Sequence, residues 1–231
     1  MNLTSSMINI FTSPRQVFEQ FPSTIRYTDW LLPLVIILFS VLITTQLTAP
    51  ITQAFQIEMI ENNPDITDEQ KEEIFEEMEG SVSGTLTSVF AIGGTIIWYL
   101  ILSGILMLMG SMILGGDLDY STVWTMTILV GLISIPELII KVPIMVSSGN
   151  LNVETGLSLI LPNSLNGTFI YNLFIQLDFF SIWRIILYSL GLSILFDLDK
   201  NKTYAVLFGG WFAVSLITAV FLSRSGVTAV F

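Results

Sequence analysis

The stretch that decides the fold is Trp30-Leu-Leu-Pro33-Leu-Val-Ile-Ile-Leu-Phe-Ser-Val-Leu-Ile-Thr-Thr-Gln-Leu47, 18 residues without a charge. A helix needs about 20 largely apolar residues to cross a bilayer core. This run, flanked by Asp29 and Glu58, is long enough only if it spans a membrane. The rest of the chain repeats the signal. Of 231 residues, 52% are hydrophobic and 12% charged, about half the charged fraction of a soluble domain. Mean hydropathy is +0.76.

Four further runs follow. Glu79 and Asp117 enclose 37 uncharged residues, with Leu86–Leu114 as the expected helix. Tyr120–Val146 is apolar but interrupted by Pro136, Glu137, Lys141 and Pro143. Ile182–Phe196 carries Arg184 near its start, and Tyr204–Leu222 carries no charge. The expected fold is therefore all-α: an integral membrane helical bundle with five transmembrane helices (30–48, 86–114, 120–146, 182–196 and 204–222) in one domain, 1–231. Residues 151–181 can be re-entrant, interfacial or an extension of the fourth helix. Phe169–Leu177 within them carries Asn172 and Gln176 four residues apart, a spacing that can line one polar face.

Orientation is set by Lys and Arg in the loops. Arg15, Arg26, Lys200 and Lys202 fall on one side of a five-span chain, Lys71 and Arg224 on the other. This places the N-terminus in the cytoplasm and the C-terminus outside. The first 29 residues show no charged region followed by an apolar one, so no cleaved signal is expected. Ser13-Pro14 reads as a helix start, and Ile10, Val17, Phe18 and Phe21 recur at helical spacing. Residues 1–29 are expected to form a cytoplasmic amphipathic segment, lying on the membrane or packed on the bundle.

The formal charge is −11, and it is concentrated. Glu58 to Glu79 holds ten acids and one Lys, leaving the remainder nearly neutral. Thr67-Asp68-Glu69-Gln70 fits a capping box, and Ile51, Phe55 and Met59 recur at i, i+4, i+8. Residues 51–80 thus read as an external acidic helical hairpin continuous with the first two spans. Asp68, Glu69, Glu72, Glu73, Glu76 and Glu77 form a solvated face, a docking surface for a partner, or a weak cation site. The Asp/Asn/Gly alternation of a calcium loop is absent.

Inside the membrane segments, Glu137 and Lys141 stand at i, i+4 in the favourable order. With Pro136, Asp178 and Arg184 they form a candidate intramembrane polar site, because ionisable residues at membrane depth point to function. The alternative is mutual neutralisation near the interface, with Lys141 snorkelling. Gly93, Gly94, Gly104, Gly191 and the Gly209–Ala213 pair can allow close helix approach. No Cys or His is present, which excludes disulfides, zinc sites of that chemistry and imidazole catalysis. Phosphate-loop, nucleophile-elbow and zinc motifs are missing. Asp117-Leu-Asp119 and Asp197-Leu-Asp199 fit turns beside helix ends. No catalytic, cofactor-binding or metal site is expected, and the acidity argues against nucleic acid.

Phe11-Thr-Ser13-Pro14-Arg-Gln-Val17-Phe18, followed by Trp30 and Pro33, resembles the start of bacterial Yip1-domain proteins. Gly115-Gly116-Asp-Leu-Asp-Tyr120 with Pro136, then Asp178-Phe-Phe-Ser-Ile-Trp183, Leu187, Gly191 and Lys200-Asn-Lys202-Thr-Tyr-Ala205, are similar to that family's middle and C-terminal parts. The resemblance implies a five-span protein of the bacterial cell membrane with a cytoplasmic N-terminus and no catalytic residues. Some bacterial members of similar layout accompany an efflux ABC transporter linked to toxin protection. The implied role is a non-enzymatic accessory protein that helps assemble a membrane complex, with the lipid bilayer and ABC transporter subunits as partners. A small-solute or ion permease using the broken third helix is the alternative.

Overall fold

Four helical stretches are long and apolar enough to cross a membrane: Tyr27–Glu61, Leu86–Ile113, Tyr120–Ser148 and Lys200–Arg224. The fifth apolar segment is a shorter helix, Phe179–Leu195, of 17 residues, about 25 Å long at the helical rise. The expected five therefore appear as four of full length and one short. The computed structural model describes residues 3–80, 83–151, 153 and 155–225, with side chains except at 77–80, 83–85, 163 and 225. Among these residues no β-strand forms; one isolated bridge pairs Gly156 with Asp178.

The helices are α1 (Leu3–Thr12), α2 (Pro14–Glu19), α3 (Tyr27–Glu61), α4 (Asp68–Gly80), α5 (Ser83–Leu108, continued by a π-helical turn Met109–Ile113), α6 (Tyr120–Gly131), α7 (Ser134–Ser148), α8 (Phe169–Gln176), α9 (Phe179–Leu195) and α10 (Lys200–Ser225). α6 is the centre. Every residue from Val123 to Gly131 is buried, as a helix apolar on all sides must be. It packs against α3, α5 and α9, while α3 also meets α5 and α7, and α9 meets α10. Trp30 of α3 meets Trp124 of α6 edge to face at 5.9 Å. The outer faces carry exposed Phe39, Phe90, Ile97, Ile139, Ile217 and Phe221, too much apolar surface for water and suited to lipid. Hydroxyls inside this apolar setting turn back on their own helices: Ser103, Thr127 and Ser189 donate to the carbonyls of Tyr99, Val123 and Ile185 at 2.7–2.8 Å, which removes the cost of a bare polar group.

Of the glycines expected to permit close packing, Gly191 does so. A Cβ there would lie 2.5 Å from Met126 Sδ, and one on Gly210 would lie 2.9 Å from Met109 Cε. Gly93, Gly94, Gly104 and Gly209 face open space instead. The tightest approach to a rigid ring falls at Gly131, where a Cβ would sit 2.5 Å from Tyr99 Oη.

The N-terminal segment is folded back on the bundle. Ile10, Val17 and Phe18 are buried. α2 packs on α9 and α1 on α6, and Phe11 meets Trp183 edge to face at 6.4 Å. Its central apolar side chains are thus covered by protein, the packed arrangement of the two open to it, while Ile8 stays exposed. The second acid of each pair acts as a helix cap. Asp119 Oδ2 accepts from Thr122 N–H at 3.0 Å, and Asp199 Oδ1 accepts from Lys202 N–H at 2.7 Å. The Ser121 hydroxyl and the Thr122 N–H hold the Asp119 carboxyl below its usual range. Gly115 between α5 and α6 has φ +77°, a turn conformation that favours glycine.

Candidate functional site

α7 brings two charges onto one face. Lys141 Nζ donates to Glu137 Oε1 at 2.7 Å, one helical turn away. α9 supplies the next partner: Arg184 Nη1 donates to Glu137 Oε2 at 2.6 Å. Asp178, the N-cap of α9, accepts from the Phe180 and Ser181 N–H groups at 2.8 and 3.1 Å. Its other oxygen lies 3.5 Å from Lys141 Nζ and accepts from the Thr155 hydroxyl. The four residues thus form one chain of alternating sign, Arg184–Glu137–Lys141–Asp178, with no net charge. Side-chain exposure is 27% for Arg184, 13% for Glu137 and Lys141, and 9% for Asp178. Charges this far from water are costly unless paired, and here each is paired.

The sequence anticipated these residues but not their arrangement. Arg184 pairs with Glu137, and Asp178 with Lys141, so the network joins α7 to α9 rather than staying within one helix. Lys141 is shared between Glu137 at 2.7 Å and Asp178 at 3.5 Å. Pro136 does not break a helix midway. The break lies at Leu132–Ile133, closed by short bonds from Ile133 N–H to Val130 O and from Ile135 N–H to Leu132 O. Pro136 then occupies the first turn of α7, where its missing N–H has no helical partner to lose. Thr155 and the close passage of Gly156 were not legible. A Cβ at Gly156 would lie 2.7 Å from Leu177 O, and the loop reaches Asp178 only because there is none.

The network lines a cavity of about 470 Å³. Trp98 of α5 and Trp211, Val214 and Ser215 of α10 form its other walls. Gln176 of α8 is fixed there, its amide donating to Asn172 O at 3.0 Å and Ser215 O at 3.1 Å. Asn172 itself is fully buried and donates to Gly167 O at 3.2 Å, so it and Gln176 do not share one polar face of the cavity. Ser158 also lines the cavity, 2% exposed, its hydroxyl unpartnered among the described residues.

The acidic candidates lie apart from this site. Thr67 and Gln70 exchange both bonds of the capping box, at 3.0 and 3.4 Å, and so start α4. Lys71 Nζ donates to Glu61 O at 2.9 Å, tying α4 to the end of α3. Asp68, Glu69, Glu72, Glu73 and Glu76 are exposed; the side chain of Glu77 lies outside the described residues. Beside them, Gln56, Met59, Ile60, Asn63 and Ile66 line a hollow of about 210 Å³.

The Yip1 domain model matches residues 8–222. The chain belongs to the Yip1 domain family. No curated protein and no solved structure matches it. The Yip1 match spans both the charge network and the acidic hairpin, so both are parts of one Yip1 domain in a multi-pass membrane protein.

Proposed function

We propose that this Yip1-domain protein is a non-enzymatic accessory subunit that binds and helps assemble a membrane complex, with α4 as the docking surface. The observation that carries this reading is the state of α4. Among the described residues, Asp68, Glu69, Glu72, Glu73 and Glu76 are exposed and only Asp68 meets a cation, Lys71 at 4.0 Å, while the segment leading into α4 lines an apolar hollow with the end of α3. Acidic side chains beside an apolar recess complement a basic segment with an apolar anchor. The finer reading is a bacterial cell-membrane member that accompanies an ABC-type efflux system involved in toxin protection, with its N-terminus cytoplasmic and the hairpin and C-terminus external. It rests on resemblance in length and layout.

The test is co-purification in mild detergent. The intact chain is expected to enrich a membrane partner. A variant with Asp68, Glu69, Glu72, Glu73 and Glu76 changed to Asn or Gln is expected to lose at least about tenfold of that partner, the scale of a few lost charge contacts. Equal recovery with both, or no enriched membrane protein, sinks the reading.

The charged cavity favours a second function, a permease for a small solute or ion, because polar cavities between helices are where transport sites form. Reconstituted vesicles would then show a flux that Lys141→Met abolishes. Vesicles silent across small solutes and ions would count against it.

A further inference from the structure

The cavity wall is unbalanced in one respect. All four carboxylate oxygens of Glu137 and Asp178 are occupied, by Lys141, Arg184, Thr155 and the two capping N–H groups. Donors are left over. A guanidinium carries five N–H groups. Arg184 uses one on Glu137 and one on Ser181, the latter at 3.4 Å, leaving three without a partner among the described residues. The Ser158 hydroxyl, buried on the same cavity, is also unpartnered. A buried hydroxyl and spare guanidinium N–H groups in a low-dielectric site call for an acceptor-rich guest.

The remaining walls indicate what that guest is attached to. Trp98 and Val214 line the cavity and are 60% and 61% exposed on the outer faces of α5 and α10. The cavity rim is therefore continuous with the apolar surface. Depth agrees. Arg184 stands five residues from the start of α9 and Lys141 seven from the end of α7, each roughly 10 Å from that end of its helix. The charge network therefore lies toward one end of the bundle, the side on which a headgroup layer would meet it.

We propose that this cavity binds a phosphate group, and that the phosphate is the headgroup of a membrane lipid. Arg184 receives the phosphate oxygens, Ser158 donates one further hydrogen bond, and Trp98 and Val214 flank the acyl chains. Glu137 is a positioning residue: it holds the guanidinium by one edge and leaves the other edge free. The proposal does not rest on the acidic hairpin.

The full chain in neutral maltoside detergent is offered phosphatidylglycerol with brominated chains, and retained lipid is read by native mass spectrometry and by tryptophan quenching. One phospholipid per chain is expected, with quenching. Ser158→Ala is expected to retain about fivefold less, the worth of one hydrogen bond. Glu137→Gln with Arg184→Gln, which removes both charges together, is expected to retain at least about tenfold less, as for a lost charge-assisted pair. Val214→Trp, which narrows the rim without touching the ion pairs, is expected to abolish quenching. A second arm offers inorganic phosphate alone, and a third a diacylglycerol without phosphate. Phosphate binding with no phospholipid retained would overturn the lipid source. Diacylglycerol retained as well as phospholipid, or variants equal to the parent chain, would overturn phosphate recognition.

Discussion

Glu137→Gln is expected to lower the stability of the protein in mild detergent by about 3 kcal/mol, the low end of the cost of breaking a buried ion pair. Glu137 is the hub of the network, holding Lys141 at 2.7 Å and Arg184 at 2.6 Å. The substitution keeps the shape and leaves two cations facing one carboxylate, Asp178. The partial exposure of Arg184 keeps the cost from the upper end. Removing one cation as well should restore balance, so Glu137→Gln with Arg184→Gln is expected to recover most of the loss. The outer pair Arg15–Glu19, at 2.6 Å but with side chains 75% and 46% exposed, provides the control: Arg15→Gln should leave the unfolding midpoint unchanged. A double variant as unstable as Glu137→Gln alone would show that charge balance is not what holds α7 to α9.

The second large effect is steric. Gly131→Val is expected to cost about 3 kcal/mol, the upper part of the range for overpacking a filled core. Its Cβ would lie 2.5 Å from Oη and 2.8 Å from Cζ of Tyr99. Tyr99 is 8% exposed, and its ring cannot yield as a flexible chain end can. α5 and α6 would have to separate. Gly93→Val, on the open face of α5, is expected to change the unfolding midpoint little, since valine is a slightly better helix former than glycine. Equal losses at both positions, read by thermal unfolding in the same detergent, would show that the α5–α6 contact does not set the result.

These two predictions divide along the line between sequence and structure. Glu137 and Lys141 were legible as a pair because helical geometry fixes the i, i+4 distance, whatever the rest of the chain does. Thr67 and Gln70 were legible for the same reason, and the capping bonds are in place. The glycines were not. Six positions looked equally able to bring helices together, and Gly131, which makes the tightest approach to a rigid ring, was not among them. A small residue permits an approach but does not say which helix arrives.

Hydropathy over windows of about 20 residues determined the membrane class and marked the four long apolar helices, because the bilayer imposes a length on any helix that crosses it. Local chemistry determined the caps and the acidic hairpin. The partner of Arg184, the contact of Lys141 with Asp178, the role of Thr155 and the cavity with its unpartnered Ser158 were decided only by tertiary structure. Each depends on contacts between segments far apart in the chain, 47 residues for Glu137 and Arg184, and such distances are set by how α5, α7, α8, α9 and α10 pack, not by the spacing of residues along any one of them.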